Sequence, residues 1–156
     1  MKKIYILSAV IMFLYSVLSR SVSAETIGYA DFKKIEKNYA FAQKAYKEID
    51  DKVLGLQQYL IDKDKEYKTI ESPLSRKNFE QKVEKEYKAK EDALLKLKTQ
   101  KEEEVFNNIQ TASKIVSSKL NIDVVFDYRV ILSGGTDITQ NIIDYLNSNP
   151  KELKNK

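Results

Sequence analysis

The fold is decided by a long stretch with very few helix breakers, which begins with residues 42–70, AQKAYKEIDDKVLGLQQYLIDKDKEYKTI. Apolar side chains recur there in alternating steps of three and four residues, and Lys63 fills the one vacant position. The apolar members are Ala42, Tyr46, Ile49, Val53, Leu56, Leu60, Tyr67 and Ile70. This is the spacing of heptad positions a and d, sustained over about four repeats. The pattern predicts a coiled-coil helix and not an ordinary amphipathic one.

Ser72 and Pro73 interrupt this pattern and start a second helix. Serine is a strong N-cap, and proline fits the first helical position but not the interior of a helix. The second helix is predicted to run from Pro73 to Leu120, with apolar residues again at spacings of three, four or their sums. Two such helices joined near residues 71–75 make an antiparallel hairpin, so residues 40–120 are predicted to form a helical arm.

The two ends of the chain supply short strands and short helices on either side of the arm. The strand-like runs are residues 26–30, 122–127 and 130–133. Asp31 and Asp137 are predicted to cap short helices. Residues 25–39 and 121–149 are therefore predicted to form one small β-rich body, which makes the fold class α+β. Three short strands are a marginal sheet for one chain, so we expect identical subunits to complete it.

The first 24 residues have the pattern of a cleaved signal peptide. Lys2 and Lys3 precede an apolar run from Ile4 to Leu18, and Val22-Ser23-Ala24 matches the small–x–small motif of a cleavage site after Ala24. A membrane anchor is the alternative, but the run is shorter than the ~20 residues that a spanning helix needs. The polar residues 150–156 are predicted to be a disordered tail.

The composition excludes several classes of function. The 27 basic and 23 acidic residues give a net charge of +4, but cleavage would remove three bases and the tail carries +2, so residues 25–149 sum to 21 − 22 = −1. The basicity therefore does not indicate a nucleic-acid partner. The chain has no Cys and no His, which excludes disulfides, Cys or His catalysis and ordinary zinc sites. We expect no enzyme activity, no metal and no cofactor.

Three features together resemble the Skp/OmpH family, the periplasmic chaperones for outer-membrane proteins. They are Ile27-Gly28-Tyr29-Ala30-Asp31, the uninterrupted charged hairpin, and the closing block from Ile122-Asp123-Val124-Val125-Phe126-Asp127 through Asp137-Ile138-Thr139 to Leu146-Asn147. The sequence departs from the family in having Phe126 where a small aliphatic residue is usual, and in having no Met in the arm. The resemblance implies a periplasmic homotrimer whose three arms enclose a cavity and hold unfolded outer-membrane proteins without ATP. An exported coiled-coil spacer or adaptor with one fixed partner is the alternative.

Three sets of residues are candidates for these roles. Apolar residues off the heptad seam are predicted to line the client cavity, although scattered apolar residues also occur on any surface; they are Leu54, Tyr59, Ile61 and Leu95. Residues 63–90 hold nine bases and six acids, which predicts a basic arm tip for an anionic membrane surface or acidic clients, or simply a solvated helix with i,i+4 ion pairs. The candidate tip bases are Lys63, Lys65, Lys68, Arg76, Lys77, Lys82 and Lys85. The candidate trimer core is Ile27, Val125, Phe126 and Ile131.

Overall fold

The fold is α+β and mostly helical, and we describe residues 25–150 from a computed structural model. The predicted signal peptide and residues 151–156 of the predicted tail lie outside the described residues. In chain order the elements are β1 (Ile27–Ala30), α1 (Phe32–Asn38), α2 (Ala40–Lys68), α3 (Pro73–Lys119), β2 (Val124–Asp127), a 3-10 turn (Tyr128–Val130), β3 (Thr136–Asp137) and α4 (Thr139–Ser148).

Helices α2 and α3 lie antiparallel, as the heptad pattern predicts. Early residues of α2 meet late residues of α3: the Lys101 ammonium lies 3.0 Å from the Glu48 carboxylate. Nearer the turn, the ring centroids of Tyr67 and Phe79 are 6.4 Å apart. Pro73 occupies the first turn of α3, and the Ser72 hydroxyl accepts a hydrogen bond from a backbone N–H of that turn. The predicted helix start is therefore confirmed.

The buried core lies at one end of this hairpin, where α2 and α3 meet α1, α4 and the sheet. Its largest fully buried side chains are Ile35, Val105, Ile138, Ile142 and Leu146. Beyond Ile49 on α2 and Val105 on α3, none of the described side chains of the arm is buried. Apolar burial is therefore strongest at the base, and the distal arm keeps its seam half-exposed.

The sheet has the order β2-β1-β3 and is parallel throughout. Ile27 pairs with Val124 and Tyr29 with Phe126, while Gly28 on the opposite face pairs with Val125. The strands contain only four, four and two residues, so the body holds less sheet than the sequence suggested.

The predicted strand at residues 130–133 is wrong. The Asp127 carboxylate accepts hydrogen bonds from the Arg129 backbone N–H and guanidinium, at 3.0 and 2.8 Å. These bonds turn the chain into the 3-10 helix and away from the sheet. Gly134 and Gly135, with φ of 81° and 85°, then return it so that Thr136 and Asp137 form β3.

The two helix caps predicted in the body have different outcomes. Asp31 accepts the backbone N–H of Lys34 at 2.9 Å and caps α1 as expected. Asp137 accepts the backbone N–H of Thr139 at 2.9 Å, but it lies in β3, and Ile138 is the N-cap of α4. The Asp137 side chain therefore joins the strand to the helix.

Two glycines in contrasting surroundings give a test of this packing. A Cβ at Gly28 would lie 2.9 Å from Cγ2 of the buried Ile122, whereas a Cβ at Gly55 would meet nothing within 4 Å. We expect Gly28→Ala to lower the free energy of unfolding by about 1–3 kcal/mol through overpacking. Gly55→Ala should raise it by up to about 1 kcal/mol through helix propensity. Urea unfolding followed by circular dichroism measures both, and a Gly28→Ala protein as stable as the parent would contradict the β1 packing.

Candidate functional site

Three of the four predicted cavity residues are exposed and lie on one side of the hairpin. Leu54, Ile61 and Leu95 are 61%, 51% and 63% exposed. Leu95 and Asp50 line a common groove between the two helices. Leu54 and Ile61 follow Asp50 by four and eleven residues, so helical periodicity puts them on the same face of α2. We call the side of the hairpin that carries these three side chains the apolar side.

Three grooves open along the apolar side from the body to the turn. The base groove, about 590 Å³, is lined by Phe32, Phe106 and Phe126 among others. The middle groove, about 530 Å³, contains Leu95, and the distal groove, about 440 Å³, contains Tyr87. A single stripe of α3 lines all three, since its members recur every three or four residues. The stripe consists of Phe106, Glu102, Lys98, Leu95, Glu91, Tyr87, Glu84 and Glu80.

The fourth predicted cavity residue, Tyr59, does not belong to this side. It is half-buried, and its hydroxyl donates a 2.8 Å hydrogen bond to the Glu86 carboxylate across the hairpin. Tyr59 lines a different groove, together with Gly55 and Lys90. Partial burial and the Glu86 carboxylate raise the pKa of the Tyr59 phenol to about 12, and the same hydrogen bond lowers the pKa of Glu86. The Tyr59 phenol is therefore a polar contact between the two helices, and its role as apolar lining stays a prediction.

Two of the seven predicted tip bases are part of the helix–helix seam. The Lys63 ammonium lies 5.7 Å from the centroid of the Tyr59 ring and 5.8 Å from that of Phe79, and it also pairs with Glu66 at 2.8 Å. The Arg76 guanidinium stacks over the Tyr67 ring at 5.4 Å. These two cations stabilise the hairpin, so they interact less strongly with an external anion than unpaired bases do.

Three further tip bases form ion pairs along their own helices. Lys65 pairs with Asp62, Lys68 with Asp64 and Lys82 with Glu86, at 3.2, 2.5 and 3.9 Å. Within residues 25–150, Lys77 and Lys85 are the two members of the set without an ion pair or ring contact. They follow the exposed Leu74 by three and eleven residues, on the same face of α3, so the candidate tip surface reduces to Lys77, Lys85 and Leu74.

The predicted trimer-core residues fall on different faces of the body. Ile27 and Phe126 are each 42% exposed on the outer face of the sheet, together with Val124. Val125 packs against the buried core of its own chain instead, and Ile131 is half-buried. Sequence reasoning missed the fully exposed Leu132 because it assigned residues 130–133 to a strand.

Comparisons with known proteins do not place the chain in a family. No protein-family model matches the sequence, and no curated protein matches it. The resemblance to the Skp/OmpH family therefore stays a prediction. Within residues 25–150, no helix is long and apolar enough to cross a membrane. In the same residues, no three Asp or Glu side chains come together in a group that could hold a metal ion.

The tip surface predicts a measurable affinity for anionic membranes. Replacing Lys77 and Lys85 by Glu should weaken binding to phosphatidylglycerol vesicles by about tenfold or more, since a base near such a surface contributes about 1 kcal/mol. Vesicle co-sedimentation of the purified protein measures this binding. The control, Lys47→Glu with Lys114→Glu, makes the same change in net charge far from the turn and should bind like the parent. Equal losses in the two variants would show that the tip has no special role.

Proposed function

We propose that the protein is an ATP-independent holdase of the periplasm, which binds unfolded outer-membrane proteins between the arms of a homotrimer and prevents their aggregation. The observation that carries the proposal is the apolar side of the hairpin, where Leu54, Ile61 and Leu95 are exposed on the side that carries three successive grooves. Three exposed apolar side chains on one side of the hairpin, next to grooves, differ from the single scattered ones that are ordinary on any surface. These side chains add nothing to the buried core, so the fold does not account for them.

The apolar side is better suited to binding an unfolded chain than to catalysing a reaction. The middle and distal grooves are shallow and lie along α2, whose 29 residues span ~44 Å. Each apolar side chain that a client covers contributes at most about 1.5–3 kcal/mol, so many weak contacts share the binding free energy. Individual contacts then exchange rapidly, and the client leaves when it folds or inserts elsewhere, without a nucleotide-driven step.

Support for self-association comes from the body. The sheet packs its inner face on the core, but its outer face carries the exposed side chains of Ile27, Val124 and Phe126. Strands β2 and β3 also leave one edge unpaired within the described chain. An apolar sheet face with open edges is an aggregation hazard in an isolated protomer. Identical subunits that cover this face would remove the hazard and bring the arms together.

The alternative is an exported coiled-coil spacer or adaptor. In that case the apolar side would be covered permanently by one partner of complementary shape. The charged residues between Leu54, Ile61 and Leu95 argue for the holdase, because a permanent dry interface would have to desolvate them.

Suppression of aggregation tests the proposed activity. A β-barrel protein diluted from urea should stay soluble with a roughly equimolar amount of trimer. Leu54→Gln, Ile61→Gln and Leu95→Gln together should raise the concentration needed for half-suppression about tenfold, because three exposed apolar contacts are lost. Light scattering follows the aggregation.

A matched control separates this effect from a general change in the arm. Ala89→Gln adds the same polar side chain at an exposed position of α3 outside the apolar side and should leave suppression intact. A parent protein that leaves aggregation untouched would favour the adaptor.

Sedimentation equilibrium tests the assembly. We expect the parent protein to be trimeric, and Phe126→Asp to dissociate it, because a carboxylate would be buried in an apolar interface. Leu95→Gln, which changes the arm and not the body, should remain trimeric. A parent protein that is monomeric at micromolar concentration would contradict the shared sheet.

A further inference from the structure

Most of the charged side chains that line the middle and distal grooves of the apolar side are acidic. The middle and distal grooves are lined by six carboxylates and two ammonium groups, Asp50, Asp64, Glu80, Glu84, Glu91 and Glu102 against Lys63 and Lys98. The two grooves on the opposite side have the reverse balance, with Glu48 and Asp51 against Lys44, Lys52, Lys90 and Lys101. The hairpin therefore separates its charges across its two sides, although residues 25–149 carry a net charge of only −1.

Three of these carboxylates have no partner within the described part of the chain. Glu102 pairs with Lys98 at 3.8 Å, and Asp64 pairs with Lys68. The Glu80 carboxylate interacts with the Tyr67 phenol and raises the pKa of that phenol. Asp50, Glu84 and Glu91 form neither an ion pair nor a hydrogen bond in residues 25–150. Their charge is therefore available to a bound molecule.

We propose that the apolar side selects unfolded polypeptide segments in which a Lys or Arg residue lies two positions from an apolar one. The proposal rests on the holdase function and names the class of client segment that this surface prefers. Apolar client side chains would occupy the grooves beside Leu54 and Leu95. The basic side chains would reach the carboxylates at the groove edges, their long apolar stems lying over the same surface.

The spacing of the lining residues fits an extended segment. Glu91 lies one turn before Leu95 on the α3 stripe, which is ~6 Å along the helix axis. In an extended chain, residues i and i+2 point to the same face and are ~6.7 Å apart. A client residue over Leu95 therefore brings the residue two positions away close to Glu91. An acidic residue at that position would be repelled by the Glu91 carboxylate.

Binding of three short peptides to the purified full chain tests the selection. The peptides share one extended frame with apolar residues four positions apart and carry Lys, Ser or Glu two positions from each apolar residue. Fluorescence anisotropy measures each affinity. We expect the Lys peptide to bind at least tenfold more tightly than the Glu peptide, with the Ser peptide between them. The preference should shrink as salt is added.

Two charge-matched variants locate the preference. Asp50→Asn, Glu84→Gln and Glu91→Gln together should remove most of the difference between the Lys and Glu peptides. Asp51→Asn, Asp92→Asn and Glu103→Gln remove the same number of charges from exposed positions off the α3 stripe, and should keep the difference. Unchanged circular dichroism in both variants excludes unfolding as the cause.

The possible failures of the two proposals are distinct. If the three peptides bind equally well, or if both variants lose the preference equally, the inferred selection is wrong and the holdase proposal stands. If the Glu peptide binds best, the basic tip and not the apolar side determines selection, and the inference is again wrong. If no peptide binds and aggregation is not suppressed, the holdase proposal itself fails.

Discussion

The whole molecule depends on the anchoring of the arm at its base. Tyr39 separates α1 from α2 in an extended conformation, and its buried hydroxyl accepts a hydrogen bond from Asn108 of α3. Asn147 of α4 fixes the same junction, since its side chain accepts the Ala40 N–H at 3.0 Å and donates to the Asn38 carbonyl at 2.9 Å. Four helices are thereby joined at one point, from which α2 and α3 leave together. The direction of the arm is therefore set by hydrogen bonds with defined geometry, of which the Asn108–Tyr39 bond is buried, as well as by apolar packing.

Because the arm is anchored at its base, the contacts that hold its distal part together differ from those of a self-sufficient coiled coil. Distal to Ile49 the helices are held by contacts between aromatic rings and cations, such as Lys90 over Tyr59 at 5.1 Å and Lys63 over Phe79 at 5.8 Å. Such contacts contribute about 0.5–2 kcal/mol each. They place charged groups at seam positions that a tightly packed coiled coil would fill with leucine. The arm therefore forms without burying its remaining apolar residues, which stay exposed on one side.

Sequence periodicity was sufficient for the hairpin but not for its surroundings. The caps at Asp31 and Ser72 and the heptad spacing are local signals, and they predicted the helices correctly. The prediction of a strand at residues 130–133 was wrong because β-propensity takes no account of the Asp127–Arg129 hydrogen bonds, which redirect the chain. In the candidate site, the exposure of Leu54 and Leu95 could be predicted because both lie off the a and d positions of the heptad. That they lie on the same side of the hairpin could not be predicted, because this depends on the register between the two helices, and no local sequence signal determines that register.

The same limit applies to charge, because a count along the chain does not say which cations are free. Lys63 and Arg76 were grouped with Lys77 by sequence proximity, but they lie against aromatic rings inside the seam. A cation in such a contact gives up part of its interaction with an outside anion. The basic excess near the turn therefore overstates what the tip can present, and the acidic lining of the apolar side is invisible in the near-neutral total.

The body and the arm expose two different kinds of apolar surface, and physical chemistry gives them different uses. Around Phe126 the neighbouring charges neutralise each other, because hydrogen bonds from Arg129 lower the pKa of Asp127 to about 2 and keep this pair intact at neutral pH. A partner that covers this surface meets charges that are paired with each other, and their mutual attraction offsets part of the desolvation cost. On the arm, free carboxylates separate the apolar side chains. A dry and permanent interface would therefore bury these carboxylates without partners. The arm surface consequently favours contacts that are weak, hydrated and replaceable, as the holding of an unfolded chain requires.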